Sequence, residues 1–166
     1  MSWSRPIFSL LTFLCRHGTA LRRAMDDGCI DMTKAFHVGC RGSVTCEEML
    51  EEDKQQGWTT IDMDTFADIG PVEAGRRVRE QIGDTPTIVS VDMDVLEPGE
   101  CPGAGFIEAG GMSSRELFRF LRALKGLNVI GGEVCELTPE YDLSSVSAQV
   151  AATAGYEIMC LALNNV

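Results

Sequence analysis

Histidine is nearly absent: the 166 residues contain only His17 and His37, and no two cysteines stand in a Cys-x-x-Cys pair. Zinc ribbons and dithiol redox motifs need that spacing, so both classes are excluded. The seven cysteines, Cys15, Cys29, Cys40, Cys46, Cys101, Cys135 and Cys160, are odd in number. Reduced thiols in a cytosolic interior are the expectation, which places the protein in the cytoplasm. Positive charge is also scarce, with 14 Lys+Arg against 25 Asp+Glu and a net charge of −11. Such a surface repels a phosphate backbone, so no nucleic-acid partner is expected. No apolar run reaches the ~18 residues of a membrane span, so no membrane partner is expected either. The opening MSWSRPIFSLLTFLCR has one Arg and a short apolar stretch but no small-x-small cleavage site. It is expected to be a buried or badly ordered strand rather than a signal peptide.

What the chain does have is an ordinary globular balance, 45% hydrophobic and 23% charged residues. Its length suits one domain with a sizeable core. Helix and strand signals alternate along it. Helices are expected over Thr19–Gly28, Thr45–Gln56, Val72–Ile82, Ser113 to about Lys125, and about Leu143 to Leu163. Thr45 with Glu48, and Ser113 with Glu116, have capping-box spacing. Strands are expected over Ala35–Cys40, Trp58–Asp62, Thr87–Val91 and Leu127–Val134, the β-branched TIVSV run having the look of a buried parallel strand. Loops carry Asp92–Met112 and Glu136–Asp142. Alternation of this kind implies an α/β fold with a mainly parallel sheet, and ligands then bind beyond the carboxyl ends of the strands. Asp92, Asp94, Glu133 and Glu136 all fall at or near those ends.

Ser90-Val91-Asp92-Met93-Asp94 is the strongest local signal. Consecutive strand residues point to opposite faces, so i and i+2 share a side, and two neighbouring carboxylates attract a hard divalent cation such as Mg²⁺ or Mn²⁺. The same pattern also arises when one Asp caps the following turn and the other is solvated. Glu136 has the chemistry to grip a guanidinium bidentately, or to be a surface loop acid. His17, just before a helix, is a candidate general acid/base or a plain surface residue, and His37 reads as structural.

Taken in order, HGTALRRAMDDG (17–28), HVGCRGS (37–43), EEMLEEDKQQGWTTIDMD (47–64), SVDMDVLEPGECPGAG (90–105), EAGGMSSRE (108–116), GLNVIGGEVCELTPEYD (126–142) and AATAGYEIMCLAL (151–163) resemble the arginase/agmatinase ureohydrolases, closest to the agmatinase-like branch. The resemblance covers residues 17–166 as a single-domain C-terminal part, with 1–16 unmatched. It implies a three-layer α/β/α fold of the arginase/deacetylase type, here truncated. It implies hydrolysis of a linear, agmatine-like guanidino compound to urea and an amine at two Mn²⁺ ions bridged by a hydroxide. Asp92 and Asp94 then match metal ligands, Glu136 the glutamate that binds the guanidinium, Glu133 an acid supporting the site, and His17 the proton shuttle to the leaving amine. The resemblance also implies a homo-oligomer, a trimer or hexamer.

The departures shape the expectation as much as the matches. The family's other four metal ligands come from an upstream His and a DxHxD cluster, and nothing of that form precedes His17. The usual LDP is Leu96-Glu97-Pro98, and the usual TGTPE is Ala104-Gly105-Phe106-Ile107-Glu108. At most a partial Mn²⁺ site is therefore expected, on a fragment or truncated product with little or no activity. An inactive pseudo-enzyme that associates with full-length subunits is the alternative. The TIVSVDMD segment also looks like the strand start of the haloacid dehalogenase-like phosphatases, with Asp92 as nucleophile. That family wants a hydroxyl residue where this chain has Leu96. A half-sheet standing alone would leave Thr87–Val91 without a partner, as an exposed apolar edge, and make the chain poorly soluble.

Overall fold

The computed structural model describes residues 20–42, 55 and 57–163. Apart from Gln55, which is helical, the expected helix Thr45–Gln56 lies outside the described residues, as do the 1–16 segment and His17. The chain divides into two compact units, 1–36 with 43–59, and 37–42 with 60–166.

In the first unit, α1 spans Ala20–Asp26, inside the expected Thr19–Gly28. Gly28, at φ 69°, ends it, because a left-handed residue costs least without a Cβ. Asp31 caps the short 3-10 turn Met32–Lys34 by accepting the Thr33 N–H.

The second unit holds the remaining elements. Strands β1 (Phe36–Cys40) and β2 (Thr59–Asp62) pair with each other, their first residues belonging to the other unit. Two helices follow, α2 (Met63–Ile69) and α3 (Pro71–Ile82). The sequence reading missed α2. Its signal is the Asp62 N-cap, whose carboxylate accepts the Thr65 N–H at 2.7 Å, followed by a run too short for periodicity. Pro71 occupies the first turn of α3, where its missing N–H costs nothing.

Strand β3 is Thr87–Asp92, α4 is Ser114–Ala123, β4 is Val129–Cys135 and α5 is Val146–Leu163. The expected capping box is present, with Ser113 and Glu116 bonding each other's backbone N–H. The last helix starts three residues later than expected. A turn from Asp142 to Ser145, with Ser145 at φ 58°, precedes it. By length and composition α5 is apolar enough to cross a membrane. It packs on β4 and α4, and Glu157 on it takes the guanidinium of Arg122.

β3 and β4 run parallel, with Ser90 opposite Glu133 and Asp92 opposite Cys135. Thr87–Val91 therefore has a partner along one edge, which corrects the expectation of an unpaired strand. The expectation of a buried strand needs correcting as well. Gly132 abuts Ile158 of α5 and Val91 is buried, but Ile88 is 69% exposed and a Cβ at Gly131 would meet nothing. The face carrying Ile88, Ser90 and Glu133 is open to solvent among the described residues.

The core joins α2, α3 and α4. Phe66 is fully buried, and its ring meets Phe120 edge-to-face at 5.9 Å. Such a pair adds about 1 kcal/mol beyond the area it buries. Gly75 lets α3 approach α4 closely, since a Cβ there would sit 2.5 Å from that of Ala123. This core holds up the loop that follows β3. Gly39, at φ 92°, brings β1 against Val95 and Met112 of that loop.

Candidate functional site

β3 ends at Asp92, and Met93–Val95 forms a 3-10 turn. Asp94 therefore does not share a strand face with Asp92, contrary to the expectation from their spacing. The turn itself keeps the two acids together, because Asp92 Oδ1 accepts the Asp94 N–H at 2.8 Å. Asp92 thus does cap the following turn. Asp94 is half-buried and engaged: its Oδ1 accepts the Phe106 N–H at 3.3 Å.

Glu136 follows β4 directly, at φ 59°. This left-handed conformation is uncommon outside glycine and stores strain, of a kind concentrated at functional sites. Its carbonyl accepts the Gly105 N–H at 3.2 Å. A Cβ at Gly105 would lie 3.6 Å from Glu136 Oε2, so the missing side chain leaves room beside that carboxylate. Ala104 and Leu137 form an antiparallel bridge that ties the two loops together.

The acids feel one another. Loss of solvent pushes the Asp92 carboxyl above the ordinary carboxylate range, and the Glu136 charge pushes it further. The Asp94 N–H and Arg41 pull the other way. Asp94 is raised by the same desolvation and by Asp92, against the Phe106 and Gly105 amides and Arg41. Two neighbouring aspartates held above their usual range are a natural seat for a cation, which relieves the repulsion.

Glu133 is set apart from this cluster. It lies inside β4 rather than beyond its end, and Ser90 donates to its Oε1 at 3.0 Å. Cys135, which the sequence reading passed over, sits between the groups. Its thiol donates to the Val91 carbonyl at 3.7 Å, and burial pushes its pKa up, with the charges of Asp92, Glu133 and Glu136 adding. His37 is an exposed residue of β1.

Arg41 is the other residue that sequence reasoning left without a role. Its guanidinium donates to the carbonyls of Asp94 (2.8 Å), Leu96 (3.2 Å), Glu108 (2.6 Å) and Ala109 (3.2 Å). One side chain thereby closes the base of the 94–109 loop. The signal for it was the basic residue ending the β1 segment, although its bonding partners lie more than fifty residues away.

The donor set suits a hard cation only in part. Asp92 and Asp94 offer the oxygen ligands that manganese or magnesium prefers. Among the described residues, however, no group of three or more His, Cys, Asp or Glu is gathered closely enough to hold a metal ion. The pair amounts to part of a site.

Comparison with known proteins identifies the family and the fold. The Arginase family profile matches residues 13–161. The chain is 37% identical over 145 residues to guanidinopropionase of Pseudomonas aeruginosa, an alignment covering 87% of this chain and 46% of that one. The crystal structure of a hypothetical agmatinase from Burkholderia thailandensis matches with a TM-score of 0.79 at 31% identity, over 90% of this chain and 45% of its own. A Trypanosoma cruzi formiminoglutamase crystallised with Mn²⁺ shares the fold, with a TM-score of 0.76 at 22% identity over 90% of this chain and 51% of its own. The chain thus spans about half the length of these relatives. The extent of the profile match and the α/β architecture together show that this chain belongs to the arginase family.

Proposed function

We propose that the chain carries the acidic wall of an amidinohydrolase site, one that hydrolyses a linear, agmatine-like guanidino compound to urea and an amine with manganese. The observation that carries this reading is that Asp92, tied to the Asp94 N–H, and Glu136, tied to the Gly105 N–H, stand on segments bridged at Ala104 and Leu137. The printed name of the Pseudomonas relative, guanidinopropionase, and the Mn²⁺ in the Trypanosoma structure support the substrate class and the cation.

Glu136 takes the substrate guanidinium, where a planar fork meets a planar carboxylate. The space left by Gly105 admits it. Asp92 and Asp94 hold the manganese, which supplies Lewis acidity and a water of lowered pKa when bound. Arg41 orders the loop by holding the carbonyls of Asp94, Leu96, Glu108 and Ala109. Glu133, tied to Ser90, steadies the ends of β3 and β4, and His17 hands a proton to the leaving amine. With two aspartates as a partial cation site, the chain by itself binds guanidinium but turns it over little or not at all.

The test is agmatine titration followed by amide NMR, with urea release measured in added Mn²⁺. Agmatine should shift the Gly105 and Phe106 amides, Glu136→Gln should abolish the shift, and urea should stay near background. Binding that survives Glu136→Gln removes that residue from the reading. Robust urea release overturns the assignment of low activity.

The partial ligand set also favours a second reading: a non-catalytic chain that associates with a longer arginase-family subunit. Co-purification with such a subunit, without metal, supports it. A chain that stays monomeric beside the subunit rules it out.

A further inference from the structure

Outside the acidic cluster, one buried polar group stands out. Asp142 is 8% exposed and its Oδ1 has no hydrogen-bond partner. Buried carboxylate oxygens are costly when unmatched, so such a group calls for a reason. Its other oxygen, Oδ2, accepts the Ala148 N–H at 2.9 Å, in the first turn of α5. There the helix dipole also favours a negative charge. Beside it lies Ser147, fully buried, whose Oγ accepts the Gly103 N–H at 2.8 Å. The fit is close: a Cβ on Gly103 would sit 2.6 Å from Asp142 Cβ and 3.0 Å from Ser147 Oγ.

From Gly103 the bonds lead outward to the acids. The Gly103 carbonyl accepts the Thr138 N–H at 2.7 Å, and the Gly105 N–H reaches the Glu136 carbonyl at 3.2 Å. The next amide, Phe106 N–H, is the one held by Asp94 Oδ1. A single tripeptide stretch, 103–105, is therefore pinned on one side to α5 and on the other to the 136–138 segment, and it delivers the following amide to Asp94.

We propose that Asp142 and Ser147 are positioning residues that clasp Gly103: Ser147, by its bond to the Gly103 amide, and Asp142, by packing against Gly103, fix the 103–106 segment, which in turn holds Asp94 through the Phe106 amide and Glu136 through the Gly105 amide. Its consequence for cation binding rests on the function proposed above, whereas the mechanical coupling does not. Neither residue touches substrate or cation. Ser147 acts through the Gly103 amide and Asp142 through its packing on Gly103 and its hold on the Ala148 amide, and together they tie the start of α5 to the loop.

The test uses the full chain, with Ser147→Ala and, as a second variant, Asp142→Ala, which removes the acceptor of the Ala148 N–H. Amide hydrogen exchange is read by NMR, and Mn²⁺ alone is titrated by electron paramagnetic resonance. Loss of one buried hydrogen bond should speed exchange at Gly103, Gly105, Phe106 and Thr138 by about tenfold. The β3–β4 amides of Val91 and Val134 should keep their wild-type protection. At that unchanged protection, Mn²⁺ affinity should fall by a similar factor. Uniform acceleration at all these amides, or none at the first four, overturns the proposal, as does local acceleration with unchanged Mn²⁺ affinity. If the wild-type chain takes up no Mn²⁺, the cation reading of the site fails and the exchange pattern alone decides the clasp. Should Ser147→Ala not fold, the same pattern in Asp142→Ala decides it.

Discussion

Arg41 donates to the backbone carbonyl of Asp94, at 2.8 Å, with three more carbonyls of the same loop on its guanidinium. The cation thus orders the loop through its carbonyls, and its field still lowers the pKa of Asp92 and Asp94. Replacing it with Met should cost about 1–3 kcal/mol, since hydrogen bonds to a charged group are the stronger kind. Arg41→Lys should recover less than half of that, because an ammonium cannot span the fork. Urea denaturation midpoints measure both, and a Lys variant as stable as wild type would show that the fork geometry is unimportant.

Asp92 makes stability depend on pH in a definite direction. Its folded pKa lies above the 3.8 of an unperturbed aspartate, so the folded chain binds the proton more tightly than the unfolded one. Stability from this group therefore falls as pH climbs from 3.8 through the raised value. Asp92→Asn should stabilise the cation-free chain at pH 7 by at most about 1 kcal/mol, because water reaches the carboxyl and screens it. Asn also preserves the acceptor for the Asp94 N–H. Melting curves should converge for the two proteins near pH 4 and separate toward neutrality; a gap that widens on acidification contradicts the assignment.

Gly75 should behave against its helix propensity. In an exposed helix interior, Gly→Ala stabilises by up to about 1 kcal/mol. Here the added methyl meets the Ala123 Cβ at 2.5 Å, so Gly75→Ala should destabilise by about 1–3 kcal/mol. Ala123→Gly in the same chain should restore most of the loss. A double-mutant cycle with zero coupling would mean that the α3–α4 contact is loose.

The sequence alone determined a good deal. The alternation of apolar segments, the Ser113/Glu116 capping box and the glycine stops are local signals, and they placed most of the described helices and strands within a few residues. Order and spacing of the acidic motifs carried the family. Local chemistry also put Asp92, Asp94 and Glu136 at strand ends, because consecutive residues on a short strand end have few places to go.

What only the tertiary structure decided involves partners far apart in sequence. It turned Asp94 off the strand into a turn, left one face of β3 open, and placed Glu133 with Ser90 inside the sheet. It gave Arg41 four carbonyls to hold, and it buried Asp142 and Ser147 against Gly103. Backbone carbonyls and glycine amides have no residue-specific signature, so nothing in a string of letters shows which side chain will reach them. Their partners are chosen only when packing brings loops from 41, 94–109 and 136–147 to one place.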